Sequence, residues 1–175
     1  GIFDDVDDVL DGIGPSQSGI ILSTGRVEDF TQSDGDPNRS GSTSTNTDGV
    51  NNNALFNSIT GSGASSFDAS YLEVDFTPDT DLMSMQFTFA SDEYPEFSGS
   101  IFNDAVGIWI NGDLVESPIL DITRVNSVNQ NENETLFIDN TGDDVNTEMD
   151  GFTVTLTVLI PVEEGVQNTL TVGIA

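Results

Sequence analysis

Residues 89–104 read FASDEYPEFSGSIFND. Three acids, Asp92, Glu93 and Glu96, surround the Tyr94-Pro95 pair, and Asn103-Asp104 follow. The run Met83–Phe89 precedes them and Ala105–Ile110 follows, both apolar and strand-like. Carboxylates crowded at a strand end repel and raise one another's pKa. A bound cation resolves that repulsion. Calcium takes about six to eight oxygens from carboxylates, amide side chains, backbone carbonyls and water, so the stretch reads as a calcium site. Asp92 or Glu93 with Glu96 or Asp104 also has the composition of a glycoside-cleaving pair of acids. Tyr94, in the turn beside the acids, is the candidate for touching a ligand. Trp109 lies in a strongly apolar run and reads as core.

Four further stretches offer oxygen ligands. Asp34, Asp36, Asn38 and Ser40 follow the alternating spacing of an EF-hand loop. The sixth position, where that loop needs glycine, is Arg39, and no helices flank it, so a calcium loop without EF-hand helices is the better reading. Asp144, Asn146, Glu148 and Asp150 alternate ahead of Gly151. Asp4, Asp5, Asp7, Asp8 and Asp11 form a third group, and Asp48 with Asn51–Asn53 a fourth. Each alone also reads as a solvated acidic face, of the kind a halophile selects everywhere. The position of residues 92–104 between two core strands sets that stretch apart.

Composition narrows the function. The 175 residues carry 31 acidic side chains against 3 arginines, a formal charge of −28. Such self-repulsion opposes a compact state unless cations or salt offset it. Phosphate binding needs Lys and Arg, so nucleic acid is excluded as a partner, and anionic membranes on the same ground. The chain has no Cys and no His, which removes disulfides, thiolate zinc and His-based catalysis. Without Lys either, most nucleophile–base pairs are missing, and Ser23-Thr24-Gly25 is not the G-x-S-x-G elbow. The expectation is a protein that is not an enzyme. A Cys-free acidic chain rich in Asn, Gly and Thr fits an exported bacterial or archaeal surface protein. No stretch resembles a signal peptide or a membrane span.

The elements that must hold the acids are strands. Phe152–Ile160 alternates apolar residues with Thr153, Thr155 and Thr157, the period of a half-buried strand. Met83, Met85, Phe87 and Phe89 repeat the pattern, as do Leu72, Val74 and Phe76. Gly19–Ser23, Ala105–Ile110, Pro118–Val125, Thr135–Asp139 and Thr169–Ile174 are further candidates. Asn111-Gly112 is a strong two-residue hairpin signal. Helix signals are thin: DDVDDVL at residues 4–10 supports one short turn. Short strands with turn-rich links predict an all-β fold, a β-sandwich of mostly antiparallel strands with long calcium-binding loops and little helix. Residues 31–53 form a long polar loop, functional or disordered. No repeat or domain boundary interrupts residues 1–175.

Several of these residues also recur as motifs in one order. They are Gly19-Ile-Ile-Leu-Ser-Thr-Gly25, Phe67-Asp-Ala-Ser-Tyr-Leu-Glu-Val-Asp-Phe76 with Pro78, Phe89-Ala-Ser-Asp-Glu-Tyr-Pro-Glu-Phe97, Phe102-Asn-Asp104 and Asp150-Gly-Phe-Thr153. That order resembles the bacterial choice-of-anchor L domain over nearly the whole chain. The resemblance implies a secreted, surface-attached domain, similar to ligand-binding modules of calcium-dependent adhesins. Its ligand would be a peptide or glycan on a host or neighbouring cell. The metal set expected on this basis is Asp92, Glu93, Glu96, Asn103 and Asp104, joined by Asp68 and Asp150 from within the family motifs. Tyr94 would flank a ligand carboxylate or hydroxyl at the metal. The family pattern also has a strand-forming segment before the position of Gly1 and an acidic strand beyond Ala175. A sheet lacking such strands exposes unpaired edges, so self-association by strand exchange, as in an extracellular filament, is the alternative expectation. A halophilic surface domain without a specific metal is the third.

Overall fold

A computed structural model describes residues 1–4, 10, 12–31, 45–61, 63–117 and 121–175. The EF-hand-like run at 34–40, Asp5, Asp7, Asp8 and Asp11, most of the 4–10 turn and residues 118–120 lie outside it. The fold is all-β with antiparallel sheets and a single α-helix among the described residues, consistent with a sandwich. In chain order the strands are β1 (Ile2–Asp4), β2 (Ser18–Ile20), β3 (Ser70–Phe76), β4 (Leu82–Phe87), β5 (Ala90–Ser91), β6 (Ala105–Ile110), β7 (Asp113–Leu114), β8 (Thr123–Arg124), β9 (Phe137–Asp139), β10 (Gly151–Thr153), β11 (Leu156–Pro161) and β12 (Asn168–Ile174). The helix, α1, spans Ala54–Thr60.

The larger layer runs β3-β12-β6-β7, with β8 also paired to β6. Alternation gives it two different faces. Val106, Ile108, Ile110, Leu170 and Val172 meet Val158, Ile160, Met83, Met85 and Phe87 of the second layer, which is the pair β11–β4. The opposite face carries Trp109 and Ala105 and is covered by α1 through Phe56 and Ile59. The Phe56 ring meets Trp109 edge-on at 5.4 Å. Two glycines make this close approach possible. A Cβ on Gly173 would lie 2.5 Å from the Phe56 ring, and one on Gly107 1.9 Å from the Trp109 ring. Trp109 is core, as its apolar setting predicts.

The Asn111-Gly112 hairpin forms as expected. Both residues have positive φ, 53° and 87°, with Trp109 opposite Leu114 and Ile110 opposite Asp113. That is the backbone sign a two-residue type I′ turn requires.

The predicted Phe152–Ile160 strand is instead two strands. β10 pairs with β5 and β9 in a third, three-stranded sheet, while β11 pairs with β4. The registers explain the break. Gly151 faces Ser91 and Leu156 faces Phe87, so six residues on one side span five on the other. The extra residue at Val154-Thr155 is a β-bulge opposite Thr88. Around it Thr153 is buried rather than exposed, and its Oγ1 accepts from Phe89 N at 3.1 Å. The Thr88 hydroxyl is buried there with no hydrogen-bond partner.

α1 was not expected, and it begins directly after the predicted polar loop, whose last residue is its cap. Asn53 caps it, its side chain accepting from Leu55 N at 2.8 Å. Phe56, Ile59 and Thr60 share the buried face, the three- and four-residue spacing of one helix side.

Candidate functional site

The third sheet brings the acids together. Ser91 and Gly151 are antiparallel partners at the ends of β5 and β10. The residues just beyond them, Asp92 and Asp150, are therefore brought to the same end of the ladder. Asp104 precedes β6, and Ser91 Oγ donates to its Oδ2 at 2.8 Å. Glu148 enters from the segment before β10. Its backbone N–H donates to Phe30 O at 2.9 Å, and Thr147 Oγ1 donates to the same carbonyl at 3.2 Å. A second chain segment thus fixes that side of the cluster.

The electrostatics follow from this convergence. Burial, reinforced by the charges of Asp150, Asp104, Glu148 and Glu93, pushes the Asp92 carboxyl up to about 7 from an ordinary value of 3.8. Burial also raises Asp104, against the lowering effect of its Ser91 hydrogen bond. Glu93 is raised by burial, Asp104 and Glu96. Asp92 Oδ1 is shielded from solvent and has no hydrogen-bond partner. A buried carboxylate oxygen without a partner costs free energy.

The residues expected at this site separate into two groups. Asp92, Glu93, Asp104 and Asp150 act on one another. Glu96 is exposed and reaches the group only through Glu93. Asn103 is buried and committed to loop packing: its Nδ2 donates to Thr60 O at 2.7 Å and its Oδ1 accepts from Asn126 N at 2.9 Å. Asp68 serves the 47–68 loop, accepting from Gly49 N at 2.9 Å and from Thr47 Oγ1 at 3.3 Å. Asn51 and Asn53 are likewise structural, one accepting from Asp68 N and the other capping α1. Glu148 joins the cluster although it was expected only in the alternating 144–150 ladder. That ladder was the available signal, because β10 pairing delivers its last members to Asp92.

Tyr94 corrects an expectation. It is fully buried, its hydroxyl donates to Val128 O at 2.6 Å, and its ring packs on Phe89 and Phe137. A ring in that position closes the core beneath the acids and presents no surface to a ligand.

The donor set suits a hard cation: the carboxylates of Asp92, Asp104, Asp150 and Glu148, with one Asp92 oxygen buried and unpartnered. Among the described residues no group of three or more acidic side chains is already arranged to hold a metal ion. Closing around one would require side chains to turn inward.

The cluster lies at one end of a cleft of about 1510 Å³ between the two layers of the sandwich. Leu72, Leu170, Val172 and Ile174 line it from the larger layer and Met85 and Phe87 from β4, while the Gly19–Gly25 stretch forms another wall. Phe67, Ile101 and Phe102 also line it and are largely exposed. Among the described residues no helix is long and apolar enough to cross a membrane. No curated protein and no solved structure was found to match the chain. The family comparison does give a match, to the choice-of-anchor L domain over residues 10–175, and on that extent the chain belongs to this family of bacterial surface-associated domains.

Proposed function

We propose that the chain is a calcium-dependent adhesin domain on the outside of the bacterial cell, binding a peptide or glycan of a host or neighbouring cell and catalysing no reaction. The observation that carries this reading is Asp92. Its carboxylate is buried among Asp150, Asp104, Glu148 and Glu93 with one oxygen unpartnered. Calcium there would offset both the repulsion and the missing hydrogen bond. Asp92, Asp104, Asp150 and Glu148 would hold it, with Glu93 at the rim. The ion's role is to fix the ends of β5, β6 and β10 relative to one another and so to shape the adjoining cleft.

Binding to the folded state alone stabilises by mass action, about 2.7 kcal/mol at a hundredfold excess over Kd. For a domain of this size that raises the melting temperature by roughly 5–10 °C. Thermal unfolding in low salt, with EGTA against millimolar calcium, measures it. An unchanged melting temperature overturns the calcium reading. Stabilisation by molar NaCl with no calcium response would instead mark generic screening. Glycan and peptide arrays probed in calcium test the binding role, and silence on both counts against it.

A filament subunit assembled by strand exchange is the second reading, favoured by the free edge of β4, which has only β11 beside it among the described residues. Size-exclusion chromatography separates the two, a stable monomer opposing the filament.

A further inference from the structure

The two layers of the sandwich are unequal. One has β3, β12, β6 and β7 side by side; the other has only β11 and β4 among the described residues. Strands in a sheet lie about 4.8 Å apart, so two strands cover about half the width of four. The covered half is the β6 side, where Val158 and Ile160 meet Ile108. The uncovered half lies beyond β4, over β12 and β3. Leu72 and Val74 on β3 are 37% and 39% exposed there, although their strand partners Val172 and Leu170 are half-buried. The cleft occupies this place, lined by Leu72, Leu170 and Val172 on one side and Met85 and Phe87 of β4 on the other.

Two features of this place describe what fits it. The first is the backbone of β4, whose outer edge is unpaired among the described residues. An unpaired edge beside an apolar floor is a template for one more strand, with main-chain hydrogen bonds giving affinity and alternate side chains entering the floor. The second is charge. Asp29, Asp68, Asp92, Glu93, Asp104 and Glu148 line the cleft against Arg26 and Arg124 alone. On a chain of net charge −28 this disfavours a second, equally acidic copy as occupant and favours a cationic one. One bound calcium leaves that sign unchanged. Phe67, Ile101 and Phe102, 67%, 81% and 54% exposed, extend the apolar surface at the same cleft. Exposed apolar groups contiguous with a groove are a mark of an interaction surface.

Resting on the ligand-binding reading, we infer that the ligand is an extended, positively charged peptide segment of a partner protein, which adds to the free edge of β4 as a third strand of the smaller layer. Its apolar side chains, at every second position, cover Leu72, Leu170 and Val172. Its lysines or arginines, on the alternate positions, face solvent and the acidic rim. A glycan has no strand backbone to satisfy the β4 edge and no run of apolar groups for this floor.

The test uses the whole chain and a fluorescent, end-capped nonapeptide alternating valine with lysine and threonine. A second peptide has glutamate for each lysine, and a third has proline at its centre. Anisotropy is read in calcium and in EGTA, and hydrogen exchange is followed by mass spectrometry. The lysine peptide is expected to bind at least tenfold more tightly than either control, with exchange slowed at residues 82–87. Leu72→Asp is expected to weaken it tenfold or more. Should that variant misfold, the exchange pattern of the unaltered chain still decides. Equal binding of the lysine and glutamate peptides, protection confined to β3, or no binding at all overturns the inference. So does a peptide-free dimer that protects residues 82–87, because a second copy would then be the occupant. Binding that is equal in calcium and EGTA upholds the peptide while refuting calcium dependence. A calcium-raised melting temperature with no peptide bound does the reverse.

Discussion

Asp92 is the residue on which the charge balance of the site turns. Its carboxyl is held near 7, while an unfolded aspartate titrates near 3.9. A group whose folded value is raised takes up a proton on folding. Below about pH 4 both states are protonated and burial of the group carries no ionisation cost; the cost grows from about pH 4 to 7 and is complete above it. The calcium-free chain is therefore expected to melt at a higher temperature at pH 5 than at pH 8. General relief of self-repulsion adds to this, so Asp92→Asn supplies the control: melting curves of the variant should show a smaller difference between the two pH values. The same substitution is expected to raise the calcium-free melting temperature and to abolish most of the calcium-induced rise. Calcium should also stabilise the unaltered chain less at pH 5, where protons compete for Asp92. Much of this cluster was legible in the sequence, because Asp92, Glu93 and Asp104 sit beside alternating strands that had to end near them. Asn103 and Tyr94 were not. Their donors and acceptors are taken by Thr60, Asn126 and Val128, residues 43, 23 and 34 positions away, and spacing alone does not distinguish a committed side chain from a free one.

At the scale of elements, period-two alternation identified β3, β4 and β11, the candidate strands at 105–110 and 169–174 match β6 and β12, and Asn111-Gly112 identified the β6–β7 turn. α1 escaped because its seven residues follow a run of asparagines that resembles an oxygen-rich loop. One of those asparagines is its cap. Asn53→Ala is expected to cost about 1 kcal/mol of stability, read as a lower midpoint in urea unfolding with an unchanged slope. Tyr94→Phe removes the hydroxyl from Val128 O and leaves that carbonyl without this partner. A loss of about 1 kcal/mol is expected, with the calcium response retained because the ring still fills the core. Retention of that response distinguishes a core tyrosine from one that touches a ligand at the metal. The split of Phe152–Ile160 was hidden from pattern reading for another reason. The residue types keep their period of two through the run although the bulge breaks the alternation of facing there, and the partner register that places the bulge is not written in the run itself.

For the whole molecule, the unequal layers stand beside an excess of negative charge that the three arginines do not offset. The proposed calcium and the proposed basic peptide would each offset part of it, at opposite parts of one cleft. The bulge at Val154-Thr155 governs how these parts respond to load, a matter of consequence for anything fixed to a cell surface and pulled. β4 runs into β5, and β10 into β11, as a two-stranded ribbon from sandwich to acid cluster. The extra residue interrupts its ladder midway. Tension that unzips β4 from β11 meets a break there, before it reaches Ser91 and Gly151. The proposed partner edge on β4 and the proposed ion site thus lie on opposite sides of that break, so that the first would be able to slip while the second stays closed.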